Sequence, residues 1–170
     1  MKNRMARLTR DNLRHLIATC DPETLAGTRD RYLLALTWAW AAPRSRVAAV
    51  RIEDITPAWF IPYDDREASR WRAALDIAAG KPPPDWLVGF EYDLGEWHQD
   101  WLTALTMAVG APVLSGPLFW SITSYDTPRH AGMTGDAIND AVQRAVHRAV
   151  LPEPWRYSAH SLRLGGRDRV

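Results

Sequence analysis

Apolar positions recur at helical spacing along most of this chain. In "LTRDNLRHLIATC", Leu13, Leu16 and Ile17 form one stripe, Thr9 stands where an N-cap belongs and Leu8 precedes it. This predicts a helix of about three turns. "DPETLAGTRDRYLLALTWAWAAP" predicts a second, longer helix closed by Pro43. Its apolar run from Tyr32 to Pro43 is too short to span a bilayer and is interrupted at Thr37, so it reads as a buried core helix. "RSRVAAVRI" predicts a short third helix with Val47 and Val50 facing inward.

The pattern then changes. In "EDITPAWFIPYDD", Ile55, Trp59, Phe60, Ile61 and Tyr63 stand among prolines, which predicts a short strand or hairpin. "EASRWRAALDIAAG" reads either as helix or as the returning part of a small sheet, "GKPPPDW" as a stiff loop, and "WLVGFEY" as a strand. "LGEWHQDWLTALTMAVG" predicts an amphipathic helix with Trp97, Trp101, Leu105 and Ala108 on one face and Gly110 after its end. "APVLSGPLFWSITSYDTPRHAG" reads as loop, with room for little beyond a turn. "MTGDAINDAVQRAVHRAV" is a clear helix: Thr134 caps it, Ile138, Val142, Ala145 and Ala149 pack inward, and Asp140, Arg144 and Arg148 line a polar stripe at i, i+4 spacing. A last helix begins in "YSAHSLRLGG", after Pro152 and Pro154. No repeat or linker divides the chain. The predicted fold is therefore one domain over residues 1–170, mainly α, a helical bundle with a small antiparallel β-sheet or hairpin.

Composition changes this picture little: 46% apolar and 24% charged residues are ordinary for a soluble globular protein. No apolar stretch follows the charged N-terminus, so no signal peptide is read and the cytoplasm is the expected compartment. Cys20 is the single cysteine, which excludes an internal disulfide and a thiolate metal cluster and reads as a buried small hydrophobe. The net charge of +1 hides an asymmetry. Residues 1–14 carry five basic side chains against one acid and residues 129–170 seven against four, while residues 53–100 carry eleven acids against four basic side chains. Such a polar-faced molecule can touch phosphate on one side, although solvated faces account for the charges equally well. His15, His98 and His147 read as helix residues on or beside polar faces and His130 as a loop residue; no pair has metal-ligand spacing, and neither a metal nor a cofactor is expected. The nine tryptophans read chiefly as core.

The chemistry concentrates near the end of the sequence. His160 and Arg163, three apart, project to one side of the last helix. A guanidinium there can clamp two phosphoryl oxygens, and an imidazole can move a proton near neutral pH. Alone, an H-x-x-R pair is a weak signal.

Its context is more specific. "LTRDNLRHLIATC", then "AGTRDRYLLALTWAWAAPRSRVAAVRIEDIT", then "SGPLFWS", then "MTGDAINDAVQRAVHRAV…YSAHSLRLGG" follow one another as do the opening helix, the first-arginine region with its Glu-Asp-Ile turn, the Gly-Pro-Leu-Phe turn and the H-x-x-R box of one family. Over nearly its whole length the chain resembles the catalytic domain of the tyrosine recombinase (phage integrase) family. The resemblance implies attack of a tyrosine hydroxyl on a DNA phosphodiester, with two arginines stabilising the pentacoordinate phosphorus and a hairpin lysine as general acid, without a metal.

Carried over residue by residue, the resemblance assigns His160 and Arg163 to the box directly. Aligning the "EDI" turn puts Pro43 where the first arginine belongs and Arg46 on its supporting glutamate; sliding by one brings in Arg44, the candidate substitute, with Val47 on the glutamate. Lys81, in "GKPPP", is the sole lysine after Lys2 and reads as a solvated loop residue. In the family a second histidine or tryptophan and the nucleophilic tyrosine follow the box by a few dozen residues. Seven residues follow Arg163 here, Tyr157 lies on the wrong side of the box, and the family's N-terminal core-binding domain has no counterpart. The expectation is a recombinase-like domain acting in DNA integration and recombination, unable to cleave alone, with double-stranded DNA as partner. The alternative is a non-catalytic DNA-binding or interaction module, using Arg144, Arg148, Arg156 and Arg163 on phosphate and pairing with a full-length recombinase or with its own copy. Neither reading involves a membrane or a small-molecule cofactor.

Overall fold

The computed structural model describes residues 5–55 and 94–167. Helix α1 (Arg10–Ala18) starts where Thr9 accepts the Asn12 N–H, and it buries Leu13, Leu16 and Ile17. Helix α2 (Leu25–Trp40) is buried along nearly its whole length and forms the centre of the fold. It ends at Ala41 in the left-handed conformation, two residues before Pro43, which then serves as N-cap of α3 (Arg44–Ala49). Helix α4 (Leu94–Val109) and the final helix α6 (Ala159–Arg167) both pack on α2, and α5 (Gly135–Arg148) packs on α1 and α3.

The two strands lie between α4 and α5: β1 (Trp120–Ile122) pairs antiparallel with β2 (Pro128–Gly132). Among the described residues the structure is thus mainly helical with a small hairpin, as the sequence predicts, but this hairpin falls in a stretch that reads as loop. Its strands are short, a register irregularity separates Trp120 from Ile122, and β2 exposes most of its length, so no alternation marks them. Beyond Ile55, the strand or hairpin expected up to Tyr63, the ambiguous stretch after it, the loop with Lys81 and the strand "WLVGFEY" lie outside the described residues. Just before that region, Ile52 N–H donates to Gly116 O and Leu118 N–H to Val50 O, so the chain leaving α3 runs antiparallel to the segment that enters β1.

The expected face of α4 shifts. Helix α4 buries Leu94, His98, Trp101 and Leu105, whereas Trp97 is half-buried beneath the Arg31 guanidinium and Ala108 is exposed. His98, expected on or beside a polar face, is in the core because its Nδ1 meets the Tyr32 hydroxyl at 3.1 Å. Trp101 spends its indole N–H on Leu118 O, which ties α4 to the approach to β1. No helix among the described residues is long and apolar enough to cross a membrane.

Candidate functional site

The sequence-predicted residues divide between the two ends of α5. Thr134 begins this helix by accepting the Ala137 N–H. The aliphatic stem of Arg44 lies against Gly135, where an added Cβ would come within 3.3 Å of the Arg44 Cγ. The Arg44 guanidinium reaches Asp136 at 3.1 Å, with both side chains largely exposed. Such a pair contributes at most about 1 kcal/mol and is readily exchanged for another anion.

One turn further along, α5 holds the entry to α6. Asn139 Oδ1 accepts the Ala159 N–H at 3.1 Å, and the Gln143 side-chain amide donates to Tyr157 O. Asn139 and Gln143 are four apart, so they share one face and grip two successive points of the incoming chain. Ser158 and Ser161 close the start of α6 reciprocally: Ser158 N–H donates to Ser161 Oγ at 3.1 Å, while Ser161 N–H donates to Ser158 O. His160 N–H donates to Ser158 Oγ at 3.2 Å, and the imidazole is exposed. Arg163 is half-buried, and its Nε is buried without a hydrogen-bond partner among the described residues. The first turns of α5 therefore seat both Arg44 and the start of the H-x-x-R helix, and Arg163 keeps one buried Nε–H unpartnered. This neighbourhood can receive an oxyanion.

The three tyrosines among the described residues are accounted for elsewhere. Tyr32 and Tyr157 are buried, and burial pushes the Tyr32 phenol well above its usual range. Tyr125 is exposed at the tip between β1 and β2. Arg156 lies in a 3₁₀ turn (Pro154–Arg156) and pairs with Glu153 at 2.7 Å.

No protein-family model, no curated protein and no solved structure matches this chain.

At the far end of α5, Arg144 and Arg148 face a cavity of about 570 Å³ that also touches the end of α1, the start of α2 and the β1–β2 turn. Its floor carries a buried ion pair that sequence reasoning missed: Arg29 donates through Nε and a terminal nitrogen to Asp30 Oδ1 at 2.9 and 2.7 Å, and through its other terminal nitrogen to Trp120 O. The available signal was weak: Arg29 and Asp30 belong to a run of three charges with Arg31, just ahead of the apolar run that begins at Tyr32. Cys20 is buried beside this pair, as expected for a small hydrophobe; burial, and then the Asp30 carboxylate, push its thiol up to about 11. Among the described residues, no three His, Cys, Asp or Glu side chains gather as a metal-binding group.

Proposed function

We propose that this chain is a DNA-phosphate-binding domain of the tyrosine-recombinase kind that does not cleave DNA by itself. The observation carrying this reading is the seating of Arg44 and of the H-x-x-R helix on consecutive turns of α5. That arrangement hangs Arg44 and the helix bearing His160 and Arg163 on one scaffold, and cations of this kind suit a backbone phosphate. The order of sequence segments that resembles the recombinase catalytic domain supports the same partner. Against cleavage stands the lack of a suitable nucleophile among the described residues: Tyr157, the tyrosine nearest the box in sequence, turns into the core.

Retention of double-stranded DNA over a series of salt concentrations tests the reading. Affinity should fall steeply as salt rises, because phosphate contact releases condensed counterions. Arg163→Gln should weaken retention several-fold and flatten the salt dependence. A nicked suicide duplex should give no covalent protein–DNA adduct. Failure to retain DNA at low salt overturns the binding reading, and an adduct overturns the non-cleaving one.

A second reading, an interaction module that modulates a recombinase, is favoured by one feature. Val150 and Trp155 stand 84% and 63% exposed on the connection between α5 and α6, with Val150 held at a φ of 52°. An exposed β-branched residue in the left-handed region is costly for the fold alone.

A further inference from the structure

We propose that the cavity between the α1–α2 corner, the β1–β2 turn and the C-terminal half of α5 binds a small molecule through an oxyanion, phosphate or carboxylate, held by Arg144 and Arg148. This site is separate from the one proposed for DNA and takes these two arginines out of the set expected to contact DNA.

Asp126 spends both carboxylate oxygens on α2, accepting the Leu25 and Ala26 N–H groups at 2.7 and 2.8 Å. Asp30 is bound to Arg29, with both side chains buried. Asp21 Oδ1 accepts the Glu23 N–H. Asp126 and Asp30 are thus engaged inside the fold, while Asp21 is exposed and keeps one carboxylate oxygen toward solvent.

The cations from α5 are not so engaged. Arg144 makes no hydrogen bond or ion pair among the described residues and is exposed. Arg148 makes two long contacts only, 3.4 Å to Thr19 Oγ1 and 4.0 Å to Cys20 Sγ. Spaced i, i+4, the two guanidinium groups stand side by side on one helix face. Two forks so placed can take several oxygens of one anion, and charge-assisted bonds of this kind are about twice as strong as neutral ones.

The shape of the site selects the class of ligand. About 570 Å³ is within the ordinary range of small-molecule sites. The Thr19 hydroxyl and the apolar side chain of Ile122 supply further wall for the remainder of the molecule.

Calorimetric titration of the full chain with inorganic phosphate, and separately with succinate, at low ionic strength in a chloride buffer tests the proposal. One saturable site is expected for at least one of the two anions, and which anion binds names the group the site prefers. The double variant Arg144→Gln/Arg148→Gln should weaken that binding at least tenfold, a loss of the size removed charge-assisted bonds produce. Its unfolding midpoint should stay near that of the parent chain, because both side chains are exposed, and Arg156→Gln should leave anion binding unchanged. No saturable binding of either anion, or binding that the double variant leaves intact, overturns the proposal. A DNA duplex that displaces the bound anion overturns the small-molecule assignment. Loss of DNA retention in Arg163→Gln with anion binding intact separates this site from the one proposed above.

Discussion

Gly165 and Gly166 place the last helix against the centre of the fold. A Cβ on Gly165 would run into Leu8 O and the Trp38 ring, and one on Gly166 into Trp38 O. Ordinarily, alanine in place of a helical glycine gains about 1 kcal/mol. Here the obstacle to Gly166 is backbone in the last turn of α2, which cannot swing aside as a side-chain tip would. Overpacking of a core costs about 1–3 kcal/mol, and a collision with backbone falls at the upper end. The steric term therefore exceeds the propensity gain, and Gly166→Ala should lower stability by roughly 1–2 kcal/mol. The denaturant midpoint at unchanged slope measures it; a stabilised variant would show that α6 can move away from α2. The same close approach sets where His160 and Arg163 stand, since they are on this helix.

Among elements, the hairpin matters less as a sheet than as the support for Asp126. That residue sits at a φ of 58° in the turn and lays its carboxylate across the first amides of α2, a hundred positions earlier in the chain. Thr123 steadies the turn by accepting the Tyr125 and Thr127 N–H groups. An anion on a helix N-terminus satisfies orphan donors and opposes the macrodipole. Asp126→Asn tolerates the same backbone conformation but keeps one acceptor and turns an N–H₂ toward the other amide. It should cost about 1 kcal/mol, and Asp126→Ala, which also loses the tolerance for positive φ, about 2 kcal/mol. Equal losses for both variants, read by chemical denaturation, would mean the turn and not the carboxylate carries the effect. None of this contact was legible in the sequence, because the partners are a hundred residues apart. The helices were legible, since Thr9 and Thr134 announce their starts locally and the apolar stripes of α1 and α5 follow. The H-x-x-R pair was legible for the same local reason. The Asn139–Gln143 grip that positions it was not, because polar residues at helical spacing look alike whether they face water or another element. The face of α4 was misjudged for a related reason: His98 is buried only because Tyr32 supplies a partner from another helix.

For the whole molecule, two buried titratable groups bound the pH range of stability from opposite sides. Burial lowers the His98 pKa, so the fold holds the neutral imidazole, and the unfolded chain takes up the proton first as pH falls. Its contribution is complete above the unfolded value of about 6.5 and is lost on the acid side. Cys20 behaves in the opposite sense. Its thiol is pushed up to about 11, so the unfolded chain releases that proton first as pH rises. Its contribution is complete below about 9 and declines between there and about 11, by an amount on the order of 2 kcal/mol. Stability should therefore be flat from about pH 7 to about pH 8.5 and fall on either side. The limbs separate by substitution. Cys20→Ala should remove the decline between about pH 9 and 10, before Tyr32 adds its own, while leaving the acid limb as it was. His98→Gln should flatten the range from about pH 6.5 down to 5, above the pH at which carboxylates take over. The quantity to compare is the slope of unfolding free energy against pH, because each substitution also changes packing and shifts the whole curve. An alkaline slope that survives in Cys20→Ala would place the titrating group elsewhere and show that the thiol beside the Arg29–Asp30 pair is not the one the fold keeps protonated.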